Sequence, residues 1–212
     1  MTTRKSLHTC TQLAALALLL GGCAATVPPP KAWTPAPIGT SWSSMQRNTG
    51  SYGPDQQMSI TRVANIDWQG SPAMVLKTGT GGSLVQQLTD GRWLATLAPD
   101  GRTVATYDPP AGWTPPLTVG ERWNRQQKVT NVGTGRTTSY EWNCQVAAFE
   151  TVTVPAGTFD AYRVECNTTL DTQDVYWTAP GVHPFLKTRF VRGPKHPAGP
   201  GTQESQLLKL PA

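Results

Sequence analysis

The chain has little of what most metal-dependent or catalytic sites need. Its three histidines, His8, His183 and His196, lie far apart, and none has a further ligand at the short spacing of a zinc site, so no metal is expected. No Cys-x-x-Cys pair is present to lower a thiol pKa, which argues against redox work. A Gly-x-Ser-x-Gly nucleophile elbow is missing. Gly79-Thr80-Gly81-Gly82 lacks the Gly-Lys-Ser/Thr that completes a phosphate loop, and reads as a flexible hairpin. Nothing in these absences calls for a cofactor. Long apolar runs are also scarce. The one that stands out, Leu13 to Leu20, is shorter than the roughly 20 residues a bilayer-spanning helix requires.

That run follows Arg4 and Lys5 and ends in Leu20-Gly21-Gly22-Cys23. Positive residues, an apolar stretch and small residues, in that order, make a secretion signal. Leu-(small)-Gly-Cys resembles the lipobox of bacterial lipoproteins. The resemblance implies cleavage before Cys23, a diacylglyceryl group on its thiol, and acylation of the new amino group. Two or three acyl chains hold a protein on a membrane stably, whereas one is marginal. Ala24, where an Asp would retain the protein at the inner membrane, implies the outer membrane, facing the periplasm. The expected partners are that membrane through Cys23 and an envelope protein, lipid or glycan. Oligomeric state is left open.

The chain thus divides into a signal at 1–22, a lipidated Cys23 with a proline-rich tether to residue 40, and one domain at 41–212. The tether holds Pro28, Pro29, Pro30, Pro35 and Pro37 and is expected to stay unpacked, reaching up to ~45 Å from the bilayer. Loss of Arg4 and Lys5 from the 18 Lys/Arg leaves 16 against 13 Asp/Glu. So small an excess argues against nucleic acid as a partner.

The domain reads as all-β: a single antiparallel sheet, strongly curved or partly closed into a barrel. Asp90-Gly91 and Asp100-Gly101 suit type I′ hairpin turns between Leu84–Leu88, Trp93–Leu97 and Thr103–Tyr107. Trp42–Arg47, Met58–Ile66 and Ala73–Thr78 are earlier strand candidates. Tyr140, Trp142, Cys144 and Val146 alternate with polar residues, as do Tyr162, Val164 and Cys166, which is the period of half-buried strands. Asp174–Thr178, Phe185–Val191 and Ser205–Leu210 follow. A hairpin centred on Pro155 sets Cys144 opposite Cys166. In an oxidising compartment this spacing predicts a disulfide, with two buried free thiols as the alternative.

Val154-Pro155-Ala156-Gly157-Thr158-Phe159, followed by Tyr176-Trp177-Thr178-Ala179-Pro180-Gly181-Val182, resembles the TapB-like and related families of small exported proteins, whose function is unknown. Pro116-Leu117-Thr118-Val119-Gly120-Glu121-Arg122-Trp123 resembles a segment that precedes the motif in them. The likeness spans Pro115 to Lys187 and implies no reaction. His183-Pro184 departs from the usual Gly after Ala-Pro-Gly-Val.

Two features leave room for binding. Eight tryptophans are many for this length, and Trp rings stack on sugars or line apolar pockets. Trp93, Trp142 and Trp177 are expected in the core; Trp33 and Trp113, among prolines, are expected at the surface. Trp113, Trp123 and His183 are the candidate ligand contacts. Lys187, Arg189, Arg192 and Lys195 are candidate contacts for an anionic surface, although charges protecting an edge strand have the same pattern. Asp171 and Asp174 read as solvated turn acids beside a strand start. No catalytic residue is assigned. The function expected is non-catalytic: a module that binds an apolar or envelope-derived ligand, or a partner protein, on the concave face. An enzyme acting on envelope glycans or lipids, and a structural surface lipoprotein, are the alternatives.

Overall fold

The computed structural model describes residues 33–179, 182 and 185–210. The signal, Cys10, Cys23, the first part of the tether and His183 lie outside that range. The described residues form an all-β domain: β1 Ser41–Gly50, β2 Gln56–Trp68, β3 Ser71–Thr78, β4 Ser83–Gln87, β5 Trp93–Leu97, β6 Thr103–Ala111, β7 Arg122–Asn131, β8 Thr137–Val154, β9 Gly157–Thr168, β10 Thr172–Thr178, β11 Lys187–Arg192 and β12 Gly201–Lys209. Each strand pairs antiparallel with the next, and β12 returns to β1, so the sheet closes completely. Closure removes both sheet edges and the unpaired backbone groups they would expose.

β7 was not anticipated. Its sequence, RWNRQQKVTN, hides the strand period because Arg125 and Gln127 occupy inward positions where apolar residues are usual. The Asp-Gly turns differ from expectation too. Gly91 and Gly101 have positive φ but Asp90 and Asp100 do not, which rules out type I′. Each Asp instead accepts the backbone N–H of the Arg two residues on, Arg92 or Arg102, and pairs with its side chain. That local bonding holds the aspartate in an ordinary conformation and leaves the left-handed one to the glycine.

Inward and outward faces follow from the register. Trp123, Cys144, Cys166, Asp174, Phe190, Gln203 and Asn48 lie in one cross-strand row, and Val146, Val164, Tyr176, Thr188 and Ser205 in the next. Leu76, Leu84, Thr96 and Ala105 continue the inner face on β3–β6. The outer face of β7 and β8 carries Arg122, Asn124, Gln126, Lys128, Glu141 and Asn143, all exposed, with Asn124 opposite Asn143 and Gln126 opposite Glu141. A barrel embedded in lipid needs an apolar band there, whereas this wall is polar and exposed.

The end at which the chain enters is closed. The β8–β9 hairpin overshoots its neighbours and folds across it, the Ala156 N–H donating to the Leu207 carbonyl. Trp42, Leu76, Val154, Ala161 and Leu207, from strands on different sides of the barrel, and Leu186 from the β10–β11 loop join in one buried cluster beneath it. The β6–β7 loop tucks in beside them: Leu117 and Trp113 pack with Trp142, Val146, Val164 and the cystine. Part of the expected tether belongs to this end as well. Trp33 is half-buried against Gly91 and donates its Nε1–H to the Leu88 carbonyl, and Arg62 donates to the Ala36 carbonyl. A free tether would leave that indole in water, and docking it recovers its apolar surface.

Candidate functional site

The other half of the barrel interior is open. Asp174 stands two residues inside β10, opposite Cys166 on one side and Phe190 on the other. The Cys144–Cys166 disulfide is present, so the covalent link between β8 and β9 pins the row that holds this carboxyl. Burial raises the Asp174 pKa to about 7, against the opposing pull of Arg192 and a hydrogen bond from Thr172. Asp174 is therefore not the solvated turn acid its position beside a strand start suggested. It points inward because the alternation that buries Cys166 and Val164 also buries their partners.

Three of the five tyrosines, Tyr52, Tyr140 and Tyr176, lie within reach of its charge, and Tyr107 lies near Tyr140. Burial holds the Tyr140 hydroxyl protonated, its pKa pushed up to about 12, with Tyr107 and Asp174 adding to the effect. Tyr176 is raised as well, first by burial and then by Asp174, Tyr140 and Tyr52. Burial also raises Tyr107 and Tyr52, and Arg192 partly offsets the shift at Tyr52. These phenols are thus neutral hydrogen-bonding groups with apolar faces. Arg192 lies 3.8 Å from the Tyr52 ring centroid and donates to the Ser51 carbonyl and hydroxyl. So committed, it forms no ion pair with Asp174.

A cavity of about 570 Å³ opens beside this cluster. Ala105, Val129, Leu170 and Pro197 give it apolar walls, Tyr140 forms part of its lining, and Asn131 and Arg136 stand at its rim. Arg136, Leu170 and Pro197 come from the turns at the end opposite Trp33, and Asn131 ends β7 there, so the cavity opens away from the point where the chain enters. Deeper in the barrel, several buried polar atoms lack a hydrogen-bond partner: the Oε1 of Gln86 and Gln127, and the Nε1 of Trp123 and Trp142. Gln127 is anchored by its amide nitrogen, which donates to the Pro109 carbonyl, leaving its oxygen directed away. Buried groups of this kind are ordinarily satisfied by protein, water or a ligand.

The residues singled out from sequence are scattered over different surroundings. Trp113 is packed, not displayed. Its ring centroid lies 5.1 Å from Tyr176, 5.8 Å from Phe185 and 6.4 Å from Trp123. Trp113 and Trp123 line only a small pocket of about 140 Å³, with Leu117, Glu121 and Arg125. Trp93 meets Tyr107 inside the barrel, and Trp142 meets Tyr176. Trp177 stands on the opposite side of its strand, its Nε1 donating to Glu150 and Lys187 lying over its ring. The basic residues do not form one patch. Lys187 and Arg189 share the outer side, where Arg189 pairs with Glu204 across the β11–β12 ladder. Arg192 turns inward, and the Lys195 N–H donates to Asp171. Among the described residues no three His, Cys, Asp or Glu side chains converge as a metal site would require.

The tyrosine cluster was missed from sequence, except for Tyr140 as an inward strand residue. The signal for Asp174 was available: given the Cys144–Cys166 pairing, alternation along β10 puts Asp174 and Tyr176 on the cystine's side.

No protein-family model matches the chain, and no curated protein matches it. Among solved structures it is similar to the hypothetical lipoprotein YmcC of Escherichia coli K12, at 15% identity and a TM-score of 0.46 over 81% of this chain and 85% of that one. A candidate exported protein of Bacteroides fragilis with a YmcC-like fold gives 14% identity and a TM-score of 0.48, over 84% of this chain and 98% of the other. A candidate lipoprotein of Parabacteroides distasonis gives 13% and 0.43, over 84% and 98%.

Proposed function

We propose that this protein is a lipid-anchored envelope module that takes a small, largely apolar ligand into its barrel without transforming it. The observation that carries the reading is the cavity of about 570 Å³, apolar along its walls and polar at its rim. Ligand sites have this size and this division of surface. The polar outer wall of β7 and β8 is in keeping with a domain whose barrel wall stands clear of the bilayer. The electrostatic neighbours of Asp174 are Arg192 and tyrosines rather than a second carboxyl, which favours binding over a glycosidase-like acid pair.

Anchoring through Cys23 at the outer membrane, on its periplasmic side, completes the proposal. With Trp33 docked, the ten steps from Cys23 to Trp33 span at most about 35 Å. The closed end then faces the bilayer and the cavity opens toward the aqueous side. Native mass spectrometry of the protein purified from membranes tests the reading. A retained small molecule that Val129→Trp expels supports it; a protein that never carries one, in either form, contradicts it.

A further inference from the structure

We infer that the closed end carries a lipid-contacting patch, formed by Ile38, Val63 and Leu210, which seats the barrel on the bilayer surface beside its anchor. This rests on the anchoring through Cys23 and adds to it a second, non-covalent contact.

The chain makes a tight turn just before β1. The Thr40 N–H donates to the Pro37 carbonyl, and Gly39 takes a φ of +92°. That is a type II turn with Ile38 at its tip. Two backbone bonds tie the turn to β2: Gly39 donates to the Arg62 carbonyl, and Arg62 donates to the Thr40 carbonyl. Val63 comes next. The β2–β3 ladder skips it, since Arg62 faces Leu76 and Ala64 faces Val75. On the other flank of β1, Lys209 lies opposite Ser43, and Leu210 follows it. Neighbouring strands are about 4.8 Å apart, so the three residues surround the start of β1. Their exposures are 57%, 42% and 45%. Ile38 is held out by backbone bonding and does not fold away. Among the described residues, the other large apolar side chains this exposed are Val119, in the β6–β7 loop at the same end, and Val104 and Val132 at the open end.

Two observations name the bilayer as what covers the patch. Trp33 is docked shortly before Ile38, and the chain from Cys23 to Trp33 reaches at most about 35 Å. Acyl chains on Cys23 therefore keep this patch, and not the open end, close to lipid. Lys209 is exposed beside Leu210, where its stem lies along apolar surface and its ammonium meets lipid phosphate. Apolar side chains with a cation at their border are what a lipid interface accepts.

The test uses the lipidated, methyl-labelled protein in nanodiscs of phosphatidylethanolamine and phosphatidylglycerol, a small fraction of whose lipids carry a nitroxide near the head of the acyl chain. The methyl signals of Ile38, Val63 and Leu210 are expected to lose at least about half their intensity, as groups at the headgroup–acyl boundary do, while Val104 and Val132 keep theirs. Those two valines are as exposed as the patch and control for chance contact. An Ile38→Ser/Leu210→Ser variant should recover the Val63 signal about twofold, with the Val129 and Leu170 shifts unmoved as the sign of an intact barrel. Equal loss at all five positions in the wild type, or loss at none, overturns the inference without any variant. Patch signals that stay sharp in discs holding two copies assign the face to a second copy and overturn it too. Mass spectrometry of the same sample reads the acyl chains on Cys23 separately. A chain without them refutes the anchor, whereas an acylated chain with unaffected patch methyls refutes the patch alone.

Discussion

Cys144 faces Cys166 directly across the β8–β9 pair, and the bond between them lies in the row that continues to Asp174. The closed loop spans a separation of 22 residues. Removing it through a Cys144→Ala/Cys166→Ala double variant should cost about 3 kcal/mol, chiefly by freeing the unfolded chain. Urea denaturation under oxidising conditions measures this, and an unchanged midpoint would show that the bond does not constrain the unfolded ensemble as expected.

Asp174 makes stability depend on pH. Its pKa is about 7 in the folded protein and 3.8 by default, so the folded state holds the proton more tightly than the unfolded chain. Stability is then greatest near or below pH 4, falls as pH rises toward 7, and levels off above. Full expression of the shift amounts to roughly 4 kcal/mol. Asp174→Asn should flatten this part of the profile. Denaturation of both proteins from pH 4 to 8 checks it; parallel profiles would mean that folding leaves the carboxyl's pKa unchanged.

Trp33 and Gly91 form a tight joint. A Cβ on Gly91 would lie 2.5 Å from the indole, at a backbone φ of +75°. Gly91→Ala should destabilise the domain by about 2 kcal/mol through strain and displacement of Trp33. In a Trp33→Ala background the steric part disappears, so the double variant should be more stable than the two losses added together. Trp33→Ala alone should expose residues 33–40 to protease.

Trp113 behaves as an anchor and not as a displayed contact. Trp113→Ala should cost about 3 kcal/mol in urea denaturation, because the ring spans Trp123, Tyr176 and Phe185. A loss within error would place it at the surface, where its proline-rich neighbourhood alone suggested.

The parts of the fold legible in sequence were those set by local pattern. Alternation in Tyr140–Val146 and Tyr162–Cys166 gave both strands and their register, and Pro155 gave the turn between them. Full closure was not legible, because β1 and β12 meet across some 150 residues and neither strand advertises its partner. β7 was lost because inward Arg125 and Gln127 are polar, and Asp174 was misread for the same reason. Both errors share a physical origin: this barrel holds polar groups inside, so an inward position does not imply an apolar residue. The site lies where that rule of thumb fails.

The most direct test of interior binding is methyl NMR of the labelled protein, titrated with the small molecules extracted from its own envelope fraction. Val129 and Leu170 line the cavity, whereas Val63 and Val104 are exposed large apolar residues. Ligand entering the barrel should shift the first pair and leave the second in place. Shifts confined to Val63 and Val104, with Val129 and Leu170 unmoved, would contradict it.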